Sequence, residues 1–211
     1  MAALLSAILS SPPPKLEADY RSREGPPDRL SPPIAVRLDG VGFGRSVADL
    51  PGPRNWAVHN ALFLEAVELA RGTSAYAVYV VSDEANLIYL DQLPYRGRLI
   101  KILSVLPSRL SARLSARLGR PVAFDARAVR LLDECDAARY VLYRARIGLN
   151  NYVVSLARLR GLVEEETPRL GELLAALGPT DLSLGWGSLA TRAGGWRRED
   201  LCAFLGRCGL C

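Results

Sequence analysis

The chain has 211 residues, 49 % hydrophobic and 23 % charged, with a formal net charge of +5 and a pI near 9.2. These values describe a soluble globular protein with a buried core, one domain with an appendage rather than two full domains, and a charge that permits a polyanionic partner without requiring one. The single histidine, His59, excludes His-based catalysis and a His-rich metal site, and reads as a polar position on an amphipathic helix.

In chain order, the apolar run Ala2–Leu9 lacks a basic leader and falls far short of the ~20 residues that span a bilayer. Neither export nor a membrane anchor is expected, and the cytoplasm is the default location. Residues 10–33 hold Ser11-Pro12-Pro13-Pro14, Pro26-Pro27 and Pro32-Pro33, an extended arm with a short helix around Leu16 to Arg23. A first strand, 33–38, runs into the glycine-rich turn Gly40-Val41-Gly42-Phe43-Gly44. A helix follows from about Asn55 to Arg71. Residues 75–81 and 86–90 alternate as two strands joined by Ser82-Asp83-Glu84-Ala85, a hairpin with acids at its tip. A basic helix over 96–118, kinked or restarted at Pro107, a strand within Val122 to Leu131 and a helix from Asp136 to about Arg160 complete the pattern.

The order β-α-β-β-α-β is the split βαβ arrangement. It predicts an α+β, ferredoxin-like domain, an antiparallel sheet with two helices on one face, as in polymerase palms and nucleotide cyclases. The division expected is a Pro-rich arm over 1–32, a palm-like catalytic domain over 33–151 and a helical C-terminal extension over 152–211. In that extension Glu164 to Pro168 reads as a helix start, Arg169 to Leu177 and Arg197 to Leu205 as helices, and Trp186 and Trp196 as packing residues between them.

Asp39 and Asp83 each stand where an apolar strand runs out, and this topology makes those two ends neighbours. Two carboxylates that converge on one cation are the minimum for metal-assisted phosphoryl transfer. The glycines after Asp39 let backbone groups approach phosphate closely. Glu84, next to Asp83, is a third candidate acid, with an exposed turn residue as its alternative reading.

Between Arg96 and Arg120 the seven basic residues Arg96, Arg98, Lys101, Arg109, Arg113, Arg117 and Arg120 stand with no acid among them. This is a positive ridge beside the apolar stripe Leu99, Leu103, Leu106, Leu110, Leu114 and Leu118, either a solvated face or a surface that tracks phosphates. Lys101 is one of only two lysines, Lys15 the other, and a compact ammonium suits a triphosphate. Cys135, Cys202, Cys208 and Cys211 leave free thiols, a disulfide and a tetrahedral zinc site open, with free thiols the first expectation.

Five motifs, Arg37-Leu38-Asp39-Gly40-x-Gly42-Phe43, Ser82-Asp83-Glu84, Arg98-x2-Lys101-x2-Ser104-x3-Ser108, Phe124-Asp125-Ala126-Arg127 and Tyr140-x2-Tyr143-Arg144, follow one another in the order and spacing of the tRNA-His guanylyltransferase family. The chain resembles that family over about 33–151. The resemblance implies a palm-fold nucleotidyltransferase that extends the 5′ end of tRNA in the 3′-to-5′ direction, with two Mg²⁺ ions held by Asp39, Asp83 and the backbone carbonyl of Gly40. It implies GTP and ATP as substrates, lined by Asp39, Gly40, Val41, Gly42, Phe43, Gly44, Ser82 and Asp83, with Arg37, Arg98 and Lys101 facing triphosphate and RNA phosphates. It further implies tRNA as partner and a homo-oligomer, tetramer or dimer. Asp125 and Arg127 read as a structural ion pair.

Departures accompany the matches. After Arg144 the family's Asp-x-His-Ile-Asn-Asn stretch keeps only Asn151 in place, and Gly44 stands where a His is common. This favours the guanylyltransferase-like branch, whose members resemble template-directed repair enzymes. The alternatives are a palm-fold cyclase acting on a free nucleotide and a non-catalytic RNA-binding protein.

Overall fold

The computed structural model describes residues 2–11, 13–23, 29–163 and 169–211. The expected helix start at Glu164 to Pro168, and Pro12, Pro26 and Pro27 of the arm, lie outside the described residues.

Two helices open the chain, α1 (Ala2–Ser10) and α2 (Pro13–Ser22); α2 contains the short helix expected around Leu16 to Arg23 and begins three residues earlier, at the prolines. Pro13 and Pro14 fall in the first turn of α2, where a missing N–H costs nothing, and the buried Leu4, Ile8 and Tyr20 pin both helices to the core. β1 (Ile34–Gly40), the short α3 (Phe43–Ser46), α4 (Trp56–Arg71), β2 (Ala77–Val81) and β3 (Glu84–Tyr89) come next. They are followed by α5 (Leu99–Leu118), β4 (Phe124–Arg130), α6 (Glu134–Leu159), α7 (Leu170–Leu177), α8 (Ser183–Trp186), β5 (Ser188–Thr191), β6 (Arg198–Glu199) and α9 (Leu201–Gly206).

The expected β-α-β-β-α-β unit is β1-α4-β2-β3-α5-β4. Among the described residues its four strands join β5 and β6 in a six-stranded antiparallel sheet in the order β4-β1-β3-β2-β5-β6. The two outer strands β5 and β6 come from the segment expected to be helical. Each is too short for an alternating pattern to register, and β5 forms because β2 offers it a free edge.

Period-two alternation decides what each face of the sheet carries. Ile34, Val36 and Leu38 of β1 point to α4 and α5, packing with Val58, Leu62, Ala66 and Leu69 and with Ile102, Leu106, Leu110 and Leu114. Ala35 points the other way, into a second cluster built on α6 with α1, α7 and α9. Arg37 and Asp39 therefore lie on the α6 face.

α4 starts because the Asn55 side chain accepts the backbone N–H groups of Ala57 and Val58, at 2.9 and 3.3 Å. α5 runs as one helix through the buried Pro107, so the chain does not restart there. The positive ridge is partly neutralised. Glu65 of α4, nearly inaccessible to solvent, accepts from both Arg113 and Arg117 at 2.5 Å, and Arg120 pairs with Asp49.

All four cysteines are oxidised, Cys135 with Cys208 and Cys202 with Cys211, which overturns the expectation of free thiols and leaves no thiolates for zinc. The fold brings α9 and the chain's last residues against the start of α6, a contact that cysteine spacing cannot reveal. Trp186 and Trp196 are partly buried packing residues, as expected. Among the described residues no helix is long and apolar enough to cross a membrane.

Candidate functional site

β1 ends and β3 begins at one edge of the sheet. Asp39 sits directly opposite Glu84 on β3 and opposite Asp125 on β4, which sets three carboxylates side by side on neighbouring strands. Asp83 precedes Glu84 in a two-residue turn with Ser82, whose φ of 55° is a left-handed value that few non-glycine residues adopt. The Gly40 N–H donates to the Asp83 carbonyl at 3.2 Å. A Cβ on Gly40 would lie 2.7 Å from Phe43 Cβ and 3.1 Å from Asp83 Cβ, so only glycine lets the two segments meet. Gly42, at φ 62°, turns the chain into α3, and Phe43 packs on Phe124 with ring centroids 5.8 Å apart. Val41 is exposed.

The acids differ in their partners. Arg144 of α6 grips Glu84 with two hydrogen bonds, Nε to Oε2 at 3.0 Å and a shorter one from Nη2 to Oε1, both side chains being largely buried. Asp39 accepts no hydrogen bond and forms no ion pair among the described residues. Its pKa is raised by burial and then by Glu84, against the opposing pull of Arg37. Burial also raises Asp83, and Asp39 adds to the effect, while hydrogen bonds from its own backbone and from Ser82 oppose it. Two half-buried acids that repel each other are stabilised by a cation.

A cavity of about 140 Å³ opens beside Asp83. Its walls are Phe43, Gly44 and Val47, then Pro53, Arg54 and Asn55, then Val58, His59 and Ser82. Arg54 is committed elsewhere, donating to the carbonyls of Leu184 and Gly185 of α8 and Gly148 of α6. His59, expected as a polar helix position, is buried and donates to or accepts from Ser188 Oγ through Nε2 at 2.9 Å. Burial first, then Arg198 and Arg54, push its pKa down to about 4. Sequence reasoning missed Arg54 and His59 as wall residues, because neither lies in a motif and the turns that bring them in span 40–55.

Arg37 lines a second, smaller cavity on the α6 face with Arg127, Arg144, Tyr20, Tyr140, Tyr143 and Glu17, and its buried Nε has no partner. Asp125 and Arg127 do not form the expected ion pair. They lie two apart on edge strand β4 and face Asp39 and Arg37 respectively.

Arg98 and Lys101 are not brought to the acids. The Leu30 N–H donates to the Gly97 carbonyl, which fixes the start of α5 beside the beginning of β1. Ser111 and Ser115, near the other end of α5, bond Phe124 and Val122 beside Gly40. With 20 residues, α5 is about 30 Å long, so the two cations and the acids occupy opposite ends of the sheet.

Among the described residues no group of three or more His, Cys, Asp or Glu forms a ready metal cage. Asp39, Asp83 and the Gly40 carbonyl are a short donor set of the kind Mg²⁺ uses when waters and substrate phosphates complete its shell. The lack of any hydrogen bond to Asp39 fits that use.

No family model and no curated protein matches the sequence. Solved structures match the fold. A bacterial tRNA(His) guanylyltransferase (Thg1)-like protein in complex with ATP aligns with a TM-score of 0.65 at 22 % identity, over 84 % of this chain and 81 % of that one. A bacterial Thg1-like protein in complex with GTP aligns with a TM-score of 0.59 at 21 % identity, over 84 % and 81 %. The tRNA(His) guanylyltransferase of Saccharomyces cerevisiae aligns at 0.55 and 17 % identity, over 83 % and 93 %. This chain has the palm-like fold of those structures, as its sequence motifs lead one to expect.

Proposed function

We propose that this chain is a nucleotidyltransferase that extends the 5′ end of tRNA in the 3′-to-5′ direction, with template-directed repair of truncated 5′ ends as its task, in the cytoplasm. One observation carries the reading. Asp39 and Asp83 lie within electrostatic reach of each other at a glycine turn, Asp83 in the wall of a cavity, in a fold shared with a Thg1-like protein in complex with ATP and one in complex with GTP.

Asp39, Asp83 and the Gly40 carbonyl would hold two Mg²⁺ ions, which supply positive charge to a triphosphate and acidify an attacking hydroxyl. The turn Gly42 to Gly44, braced by Phe43 on Phe124, would present backbone N–H groups to phosphate oxygens. Ser82 holds the Asp83 carboxylate as an acceptor. Glu84, spent on Arg144, acts as a positioning residue that fixes the start of β3 beside Asp39. Arg37 lies close enough to share phosphates with the acids, whereas Arg98 and Lys101 would meet RNA backbone at the far end of the sheet, or a neighbouring copy in a dimer or tetramer.

The test is extension of two 5′-labelled RNAs, a tRNA lacking its first nucleotide and a full-length tRNA-His transcript, with each nucleoside triphosphate and Mg²⁺. Growth of the truncated tRNA by the complementary nucleotide, lost in Asp39→Ala and Asp83→Ala, supports templated repair. Addition of G alone to tRNA-His, regardless of pairing, replaces repair with strict guanylylation. No product from either RNA overturns the transferase reading.

A further inference from the structure

The wall of the Asp83 cavity contains one buried polar atom that nothing in the fold uses. His59 is 4 % exposed, its Nε2 is engaged by Ser188 Oγ at 2.9 Å, and its Nδ1 is buried with no partner. A buried, unpaired ring nitrogen costs stability, and a bound ligand is one way such a cost is offset. Most of the other polar wall groups are engaged. Asn55 Oδ1 caps α4, the Arg54 guanidinium binds three carbonyls, and Ser82 and Asp83 bond each other. The remaining wall, Phe43, Val47, Pro53 and Val58, is apolar and suits a flat ring.

The ring is uncharged at neutral pH, so it carries one N–H and one bare nitrogen. When the Ser188 hydroxyl donates to Nε2, the proton stands on Nδ1. Of the two acceptors common to adenine and guanine, N7 and N3, N7 lies on the edge away from the sugar, and pyrimidines lack it.

We infer that His59 is a specificity residue of the nucleotide site, its Nδ1–H donating to N7 of a purine base seated in the cavity, with Ser188 as the positioning residue that sets the tautomer. This inference rests on the nucleotide reading above and adds which part of the nucleotide is read and by what. It accounts for the burial of the chain's only histidine under a strand, β5, that lies outside the split βαβ unit. Trp56, stacked on the His59 ring at 5.4 Å, holds the imidazole plane.

The test is equilibrium binding, in Mg²⁺, of GTP, ATP, their 7-deaza analogues, CTP and inorganic tripolyphosphate to the wild-type chain, His59→Phe and Ser188→Ala. One lost hydrogen bond predicts about tenfold weaker binding of each 7-deaza analogue than of its parent by the wild-type protein. In His59→Phe that ratio falls to one while tripolyphosphate affinity holds. Ser188→Ala, the smaller change and the safeguard should His59→Phe fail to fold, lowers the ratio as well. Equal binding of parent and 7-deaza nucleotides by the wild type overturns the inference and leaves the nucleotide site standing. If neither nucleotides nor tripolyphosphate bind, the nucleotide reading falls and takes this one with it.

Discussion

Asp39 and Glu84 face each other across β1 and β3, yet only Glu84 has a cation, Arg144, locked onto its carboxylate. Two acids in register thus have different fates. One is neutralised by the fold, and the other is left half-buried, without a hydrogen bond and with its pKa raised by burial and by Glu84. The Arg144 pKa, raised by Glu84 and by Tyr140 against its burial, follows from the same contact.

Removing Arg144 strands the Glu84 carboxylate next to Asp39. Arg144→Ala is expected to destabilise the protein by about 3–5 kcal/mol, the usual cost of breaking a buried pair from one side. The double change Arg144→Met with Glu84→Leu should recover most of that loss. Urea unfolding of the two variants beside wild type checks it, and an Arg144→Ala protein as stable as wild type would refute the assigned pairing energy.

Gly40 has no room for a methyl group. Gly40→Ala forces Phe43 and Asp83 apart and should cost about 1–3 kcal/mol, with loss of Mg²⁺-dependent product formation well beyond what that destabilisation explains. Gly44→Ala is the control, since a Cβ there meets nothing within 4 Å. Thermal melts beside initial rates separate the two effects.

The pH dependence of stability has a defined window. The His59 pKa is about 4 in the fold against 6.5 ordinarily. As pH falls below about 6.5 the unfolded chain takes up a proton that the folded chain refuses until about 4. The contribution is full above the upper limit and is lost toward the lower one, about 3 kcal/mol in all. Asp39 and Asp83, raised in the fold, act in the opposite sense. Subtracting the curve of His59→Phe from that of wild type cancels the acids and should leave a stability difference that falls between pH 6.5 and 4.

Reduction should cost about as much as losing Arg144. Cys135–Cys208 spans 73 residues, and its loop entropy corresponds to about 4 kcal/mol. Cys202–Cys211 closes a short, overlapping loop, so the two do not add. Dithiothreitol is expected to lower Tm by roughly 8 °C or more for a chain of this size. Such bonds are rare in reducing compartments, and alkylation with mass analysis of freshly extracted protein shows whether they exist there.

The palm unit was legible because its signals are local. Alternation in Ile34 to Leu38, the four-residue spacing of Leu106, Leu110 and Leu114, and acids at two strand ends survive without tertiary information. What escaped depends on long-range contact. The pairing of Glu65 with two arginines of the supposedly uncompensated ridge joins residues about fifty apart. Arg98 and Lys101 share a motif with the site in sequence order, but the direction of α5 carries them to the other end of the sheet. His59 is silent in sequence because its partner, Ser188, belongs to a strand of four residues.

That strand has a consequence for the order in which the molecule is made. β2 is emitted early, with its outer edge unpaired, and remains so until residues 188–191 have been synthesised more than a hundred positions later. During that interval an apolar, fully buried-type strand, Ala77–Val81, presents open backbone groups to any other nascent chain. The strand behind His59 therefore joins the sheet late, and a chain stalled before residue 188 would hold both aspartates while lacking the partner that orients His59.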